Sequence, residues 1–198
     1  MSGRLRRNAL AWCAIALGAM ALGGCGRRPI QPDVTDVTGL VAPLKFNLTD
    51  QNGQAVNAAD YRGDVVLLYF GYTHCPDACP ATLTKLADAL NTLGAQASRV
   101  RVLFVTVDPR RDTTAVLKSY VSDFGPQFIG LRGTASQLTA MIKRYRVSYH
   151  DEKPDRNGNY EVDHSSAVFV FDGRGRARLL VQTGAAAGAV ATDLRRLL

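Results

Sequence analysis

The sequence predicts an α/β fold in which a mixed central sheet is covered by helices on both faces. Two observations carry this. "DVVLLYFGY" and "RVRVLFVTVD" are apolar runs of strand length, as expected of central strands buried on both sides. Stretches of helical periodicity alternate with them, and a hairpin signal precedes the last helix, an order that gives a layered α/β domain.

The elements follow in order. "LKFNLTDQNGQAV" alternates around Gln-Asn-Gly and reads as a hairpin. The strand "DVVLLYFGY" comes next, then "ATLTKLADALNTLG", with Leu83, Leu86, Leu90 and Leu93 at helical spacing and Gly94 as its stop. "RVRVLFVTVD" is the second buried strand, and "TTAVLKSYVSDFG" a helix with Asp112 as candidate N-cap. "QFIGLRG" is short and strand-like, and "ASQLTAMIKRYRV" is helical. Two apolar runs in "YEVDHSSAVFVFDGRGRARLLVQTG", joined by Asp-Gly-Arg-Gly, form the closing hairpin, and "AAAGAVATDLRRLL" is the final helix. This is the thioredoxin-like order with an N-terminal hairpin extension. Ligand sites in such sheets lie beyond the carboxyl ends of the strands, where Cys75 and Asp108 stand.

The composition, 46% hydrophobic and 21% charged over 198 residues, fits one globular domain plus an appendage. "MSGRLRRNALAWCAIALGAMALGGC" has a basic start, an apolar stretch and small residues before Cys25, which is the form of an export signal over 1–24. "LGGC" resembles the lipobox of bacterial lipoproteins and makes Cys25 the lipidation candidate; an uncleaved transmembrane anchor is the alternative. Either way the domain is expected on the periplasmic, oxidising side of the membrane, tethered by 25–40 and beginning near Val41. Loss of the leader removes Arg4, Arg6 and Arg7 and leaves +4 of the formal +7 charge. That remainder forms no basic stripe with interleaved aromatics, so no nucleic-acid partner is expected.

Cys13 falls in the signal and Cys25 takes the lipid, which leaves Cys75 and Cys79, in "GYTHCPDACP", for the domain. If residues 75–79 form the first turn of the helix, the i,i+4 spacing puts both sulfurs on one face with Cα atoms about 6 Å apart. That distance suits a disulfide or two thiolates on one ion. The helix N-terminus is expected to lower both thiol pKa values. As a structural staple, a five-residue loop contributes only about 2 kcal/mol. A metal needs a third ligand. His74 reads as a local hydrogen-bonding group and His150, in the polar stretch "SYHDEKPDRNGNYE", as solvated. His164, in "VDHSSAVFVF" just before a buried strand, is the ligand candidate. Two thiolates and an imidazole form a soft set that favours copper, with zinc as competitor, and three ligands leave a position open for transfer.

"FGYTHCPDACP", "VDPRRDT" and "VDHSSAVFVFD", in that order over roughly residues 40–198, make the chain resemble the Sco/SenC family of copper-binding proteins. The resemblance implies a membrane-tethered thioredoxin-like domain that helps assemble the dinuclear copper centre of cytochrome c oxidase. It implies Cu(I) or Cu(II) held by Cys75, Cys79 and His164, a redox disulfide between Cys75 and Cys79, and Asp108 near the site. The implied partners are the copper-centre subunit of the oxidase and a thiol reductant or another copper chaperone. The function is thus expected to be metallochaperone rather than enzyme. The rival is a thiol-disulfide oxidoreductase that keeps a target's cysteines reduced. Such enzymes generally place a cis-proline before the strand facing the dithiol, where this chain reads "DHSSAV". A peroxidase needs one activated thiol in a different local motif, and a purely structural lipoprotein leaves the Cys, Cys and His unexplained.

Overall fold

A computed structural model describes residues 33–151, 162–164 and 166–198, with 150–151 and 162–164 as backbone; the export signal, Cys25 and most of the polar stretch after His150 lie outside them. The strands are β1 (Val34–Asp36), β2 (Asn47–Asp50), β3 (Ala55–Asn57), β4 (Val65–Gly71), β5 (Val100–Thr106), β6 (Phe128–Arg132), β7 (Tyr149–Asp151), β8 (Val162–His164), β9 (Val168–Phe171) and β10 (Ala177–Val181). The helices are α1 (Ala78–Leu93), α2 (Thr114–Ser122), α3 (Ala135–Tyr145) and α4 (Ala187–Leu194). The main sheet runs β1-β10-β9-β4-β5-β6-β2-β3. β4, β5 and β6 are parallel, whereas β9 and β2 join them antiparallel on either side.

Every residue of β4 is buried, as the unbroken apolar run predicts. Its alternation sorts the two faces. Tyr69 turns to the side of α1 and α2, where its ring lies 6.1 Å from Phe104, itself 5.3 Å from Tyr120 of α2. Phe70 turns the other way, 6.2 Å from Tyr145 of α3, which also meets Phe169 and Phe171 at 5.7 and 5.8 Å. Helix α4 packs on α1.

Three local readings are corrected. Residues 34–36, expected in the tether, form an edge strand: Val34 pairs with Val181 and Asp36 with Leu179, so ordered structure begins before Val41. Buried Val34 and Val37 supply the reason, an apolar pair too sparse to show periodicity. Helix α2 is capped by the Thr113 hydroxyl, which accepts from Val116 N–H, and not by Asp112. The stretch around His150 is not all loop, since β7 pairs with β8 in a separate two-stranded sheet with Tyr149 opposite His164.

The Tyr145 hydroxyl accepts from the Lys45 backbone N–H at 3.0 Å and donates to the Pro43 carbonyl at 3.3 Å, fastening the segment before β2 to this face. Tyr145→Phe strands that N–H and is expected to cost about 1–2 kcal/mol, read from the urea unfolding midpoint. An unchanged midpoint would show that the bond contributes nothing.

Candidate metal centre

The thiol loop leaves the carboxyl end of β4. Cys75 precedes Pro76, whose ring disfavours helical dihedrals at Cys75, so α1 starts only at Ala78. Pro80 sits in the first turn, where its missing N–H costs no hydrogen bond. The expectation that residues 75–79 all lie in one helical turn is therefore corrected: Cys79 is helical and Cys75 is not. The sulfurs still converge, because Cys75 Sγ accepts from the Cys79 backbone N–H at 3.3 Å. Asp77, at the N-cap position, makes no side-chain cap, so the sulfur takes one of the orphan donors of the first turn. No disulfide joins the two cysteines.

Their environments differ. Cys75 is half-buried, and Cys79 is 0% exposed. The Tyr69 hydroxyl donates to Cys79 Sγ at 3.5 Å from the sheet side. Burial pushes the Cys79 thiol up to about 12, and hydrogen bonds from Tyr69 and the Tyr72 backbone only partly oppose it. For Cys79 this overturns the expectation of a lowered pKa, because desolvation outweighs the helix terminus.

Gly71 makes the close seating of Cys79 possible. A Cβ at this position would stand 2.8 Å from Cys79 Sγ and 2.7 Å from the Phe104 ring. Nothing in the pattern of the strand marks this glycine except its place before the motif.

The loop is clamped by Asp112, which is wholly buried. Its carboxylate accepts from Thr73 N–H at 3.1 Å, Thr73 Oγ1 at 2.6 Å and Thr106 Oγ1 at 2.6 Å, joining the loop after β4 to the end of β5. His74, half-exposed, has Nδ1 3.2 Å from Thr73 Oγ1, in keeping with the local hydrogen-bonding role expected of it. Asp108 is buried and ion-paired to Arg111, whose guanidinium lies 5.7 Å from the Tyr72 ring centroid. It braces the strand-end loop next to the site.

The side chains of His164 and His150 lie outside the described atoms, and among the described residues no three His, Cys, Asp or Glu side chains gather as a metal cluster. The backbone nevertheless gives residue 164 a neighbourhood. It pairs with Tyr149, which lines a cavity of about 240 Å³ with Val107, Asp108, Pro109 and Arg110 at the end of β5. β9 runs antiparallel to β4 with Phe169 opposite Leu68, so the chain leading into it runs past the carboxyl end of β4.

The SCO1/SenC family model matches residues 40–198. The chain belongs to this family. An SCO2-like protein of Rickettsia felis is 39% identical over 167 residues, covering 82% of each chain. The mitochondrial SCO2 homolog of Bos taurus is 45% identical over 128 residues, 64% of this chain and 48% of that protein, so the match spans about half the bovine length. Bradyrhizobium japonicum ScoI, solved with copper bound, superposes with a TM-score of 0.74 at 37% identity, covering 80% of this chain and 100% of that one. These likenesses bear out the thioredoxin-like α/β fold and the family resemblance.

Two outcomes follow for this SCO1/SenC chain. Iodoacetamide at pH 8 is expected to alkylate Cys75 at least about tenfold faster than Cys79, whose raised pKa keeps it a thiol until the pH approaches 12. Peptide mass mapping over time reads the order, and the reverse order would contradict the burial asymmetry. Gly71→Ala should cost about 1–3 kcal/mol in chemical denaturation by driving the Cys79 sulfur and the Phe104 ring apart.

Proposed function

We propose that this protein is an extracytoplasmic copper carrier. It holds one ion on Cys75, Cys79 and His164 and serves assembly of the dinuclear copper centre of cytochrome c oxidase, with the oxidase copper subunit as recipient. The observation that carries the reading is the pair of reduced thiols converging at the head of α1, Cys75 Sγ lying on the Cys79 N–H. Membership of the family and the copper-bound B. japonicum relative support copper over zinc as the cargo. The pairing of residue 164 with Tyr149 supports His164 as third ligand, since it brings that backbone toward the ends of β4 and β5. A lipid on Cys25 after loss of residues 1–24 would supply the tether; among the described residues no helix is long and apolar enough to cross a membrane. The mass of the mature N-terminal peptide distinguishes a lipid from an uncleaved anchor.

One observation favours a second reading. A half-exposed Cys75 beside a buried Cys79 is the arrangement of an attacking and a resolving thiol, so the pair could reduce a target's disulfide by exchange. Reduction of the recipient's cysteines and delivery of copper are consecutive steps, and a thiol reductant or another copper chaperone would act upstream of both.

Anaerobic Cu(I) titration of the reduced, detergent-purified chain should give one ion per chain, and Cys75→Ser, Cys79→Ser or His164→Ala should each weaken it at least about tenfold. Wild-type affinity in any of these variants would remove that residue from the ligand set. Binding displaces the Cys79 proton, so affinity should fall about tenfold per pH unit as the pH is lowered through neutrality. Turnover of a disulfide substrate without copper binding, unchanged by His164→Ala, would put the reductase reading first.

A further inference from the structure

We propose that the Tyr69 hydroxyl selects the oxidation state of the cargo, biasing the Cys75–Cys79 site toward Cu(I) over Cu(II) by donating to the Cys79 sulfur. The inference deepens the copper reading above and rests on it.

The charge of the filled site sets the problem. Two thiolates and a neutral imidazole carry one net negative charge with Cu(I) and none with Cu(II), the thiol protons having passed to solvent in either case. Cys79 is 0% exposed, and burial favours the uncharged complex, which is the Cu(II) one. A buried site that takes Cu(I) therefore needs hydrogen-bond donors on its sulfurs to meet the remaining negative charge.

Such donors are present. Cys75 Sγ accepts from the Cys79 backbone N–H at 3.3 Å, and the Tyr72 backbone hydrogen-bonds to the Cys79 sulfur. Both belong to the main chain and persist whatever the side chains are. The Tyr69 hydroxyl, 3.5 Å from Cys79 Sγ, is the donor that a side chain supplies. A ligating sulfur has no proton of its own and can only accept, so with the ion bound the polarity of this contact is fixed. The Tyr69 ring is wholly buried and lies 6.1 Å from Phe104, which keeps the hydroxyl on the sheet side of the sulfur. Behind it, the buried Thr82 side chain of α1 hydrogen-bonds to the same hydroxyl.

A hydrogen bond to a ligating sulfur draws electron density away from the metal. Hydrogen bonding around a cysteine sulfur thereby tunes the potential of copper sites. The bond is strongest where the acceptor carries most charge, which is the Cu(I) complex. Tyr69 is thus a positioning residue that acts through Cys79. No electron transfer is assigned to the protein, which discriminates between two ions offered to it.

The test is the midpoint potential of the copper-loaded, detergent-purified chain, titrated anaerobically with mediators and followed at the thiolate-to-Cu(II) charge-transfer band. In Tyr69→Phe the stoichiometry should remain one copper per chain while the ratio of Cu(I) to Cu(II) affinities falls about tenfold, a midpoint about 59 mV lower. The band should move to longer wavelength, because a sulfur without its donor gives up an electron more readily. Thr82→Val, which removes the hydrogen bond behind Tyr69, should shift both readings the same way, the ratio by about threefold, and serves if Tyr69→Phe does not fold. Cu(I) and Cu(II) affinities that weaken alike, with the band unmoved, would make Tyr69 a brace of the loop and overturn the inference. An unchanged ratio in every variant that folds would overturn it too, and either result leaves the copper reading standing. A wild type that binds copper in neither state would sink both.

Discussion

The buried carboxylate of Asp112 is the constraint on which the site depends. Parallel β4 and β5 place their carboxyl ends side by side, with Gly71 opposite Thr106 and Val107 N–H donating to Gly71 O at 2.8 Å. A buried carboxylate is tolerated only when its oxygens are satisfied. Here the donors come from both strand ends, so Asp112 can be satisfied only when β4 and β5 are in register. The loop that carries His74 and Cys75 inherits its position from that requirement. A side chain that would have capped α2 serves the site instead, and Thr113 takes over the cap.

At Cys79 two effects of opposite sign compete, and magnitudes decide between them. A helix N-terminus stabilises a thiolate by about 0.3–1 kcal/mol. Taking a charge out of water into a core costs several kcal/mol even after relaxation. With the sulfur 0% exposed and seated against Gly71, desolvation prevails and Cys79 rests as a thiol. Cys75, one step outward, escapes most of this burial while its sulfur still reaches the N–H of Cys79.

Much of this architecture could be read from the chain. The runs at 65–71 and 100–106 announced buried strands, the leucines of 83–93 announced α1, and Asn52-Gly53 announced the turn of the first hairpin, because each is a local pattern with a local cause. The thiol pair was legible for the same reason. What escaped was non-local. β1 exists because Val34–Asp36 finds the free edge of β10, which no three-residue pattern reveals. The raised pKa of Cys79 comes from its complete burial in the folded domain, which no local pattern at 75–79 reports. Asp112 read as a cap because its sequence neighbours fit one; its true partners, Thr73 and Thr106, are brought to it by sheet pairing.

The seating of Cys79 also bears on which chemistry suits the site. A sulfur so deeply buried is stable in three forms: as a thiol, in a disulfide, and as a thiolate whose charge is met by a bound cation. As a free thiolate it is disfavoured, because burial takes the charge out of water. A soft monovalent cation is well served, since it brings the compensating charge as the proton leaves. Ser166 and Ala167 lead into β9 where a redox enzyme is expected to carry a cis-proline, and no cis peptide occurs among the described residues. The burial asymmetry is thus common to both readings proposed above, and it is the missing proline that favours the copper carrier.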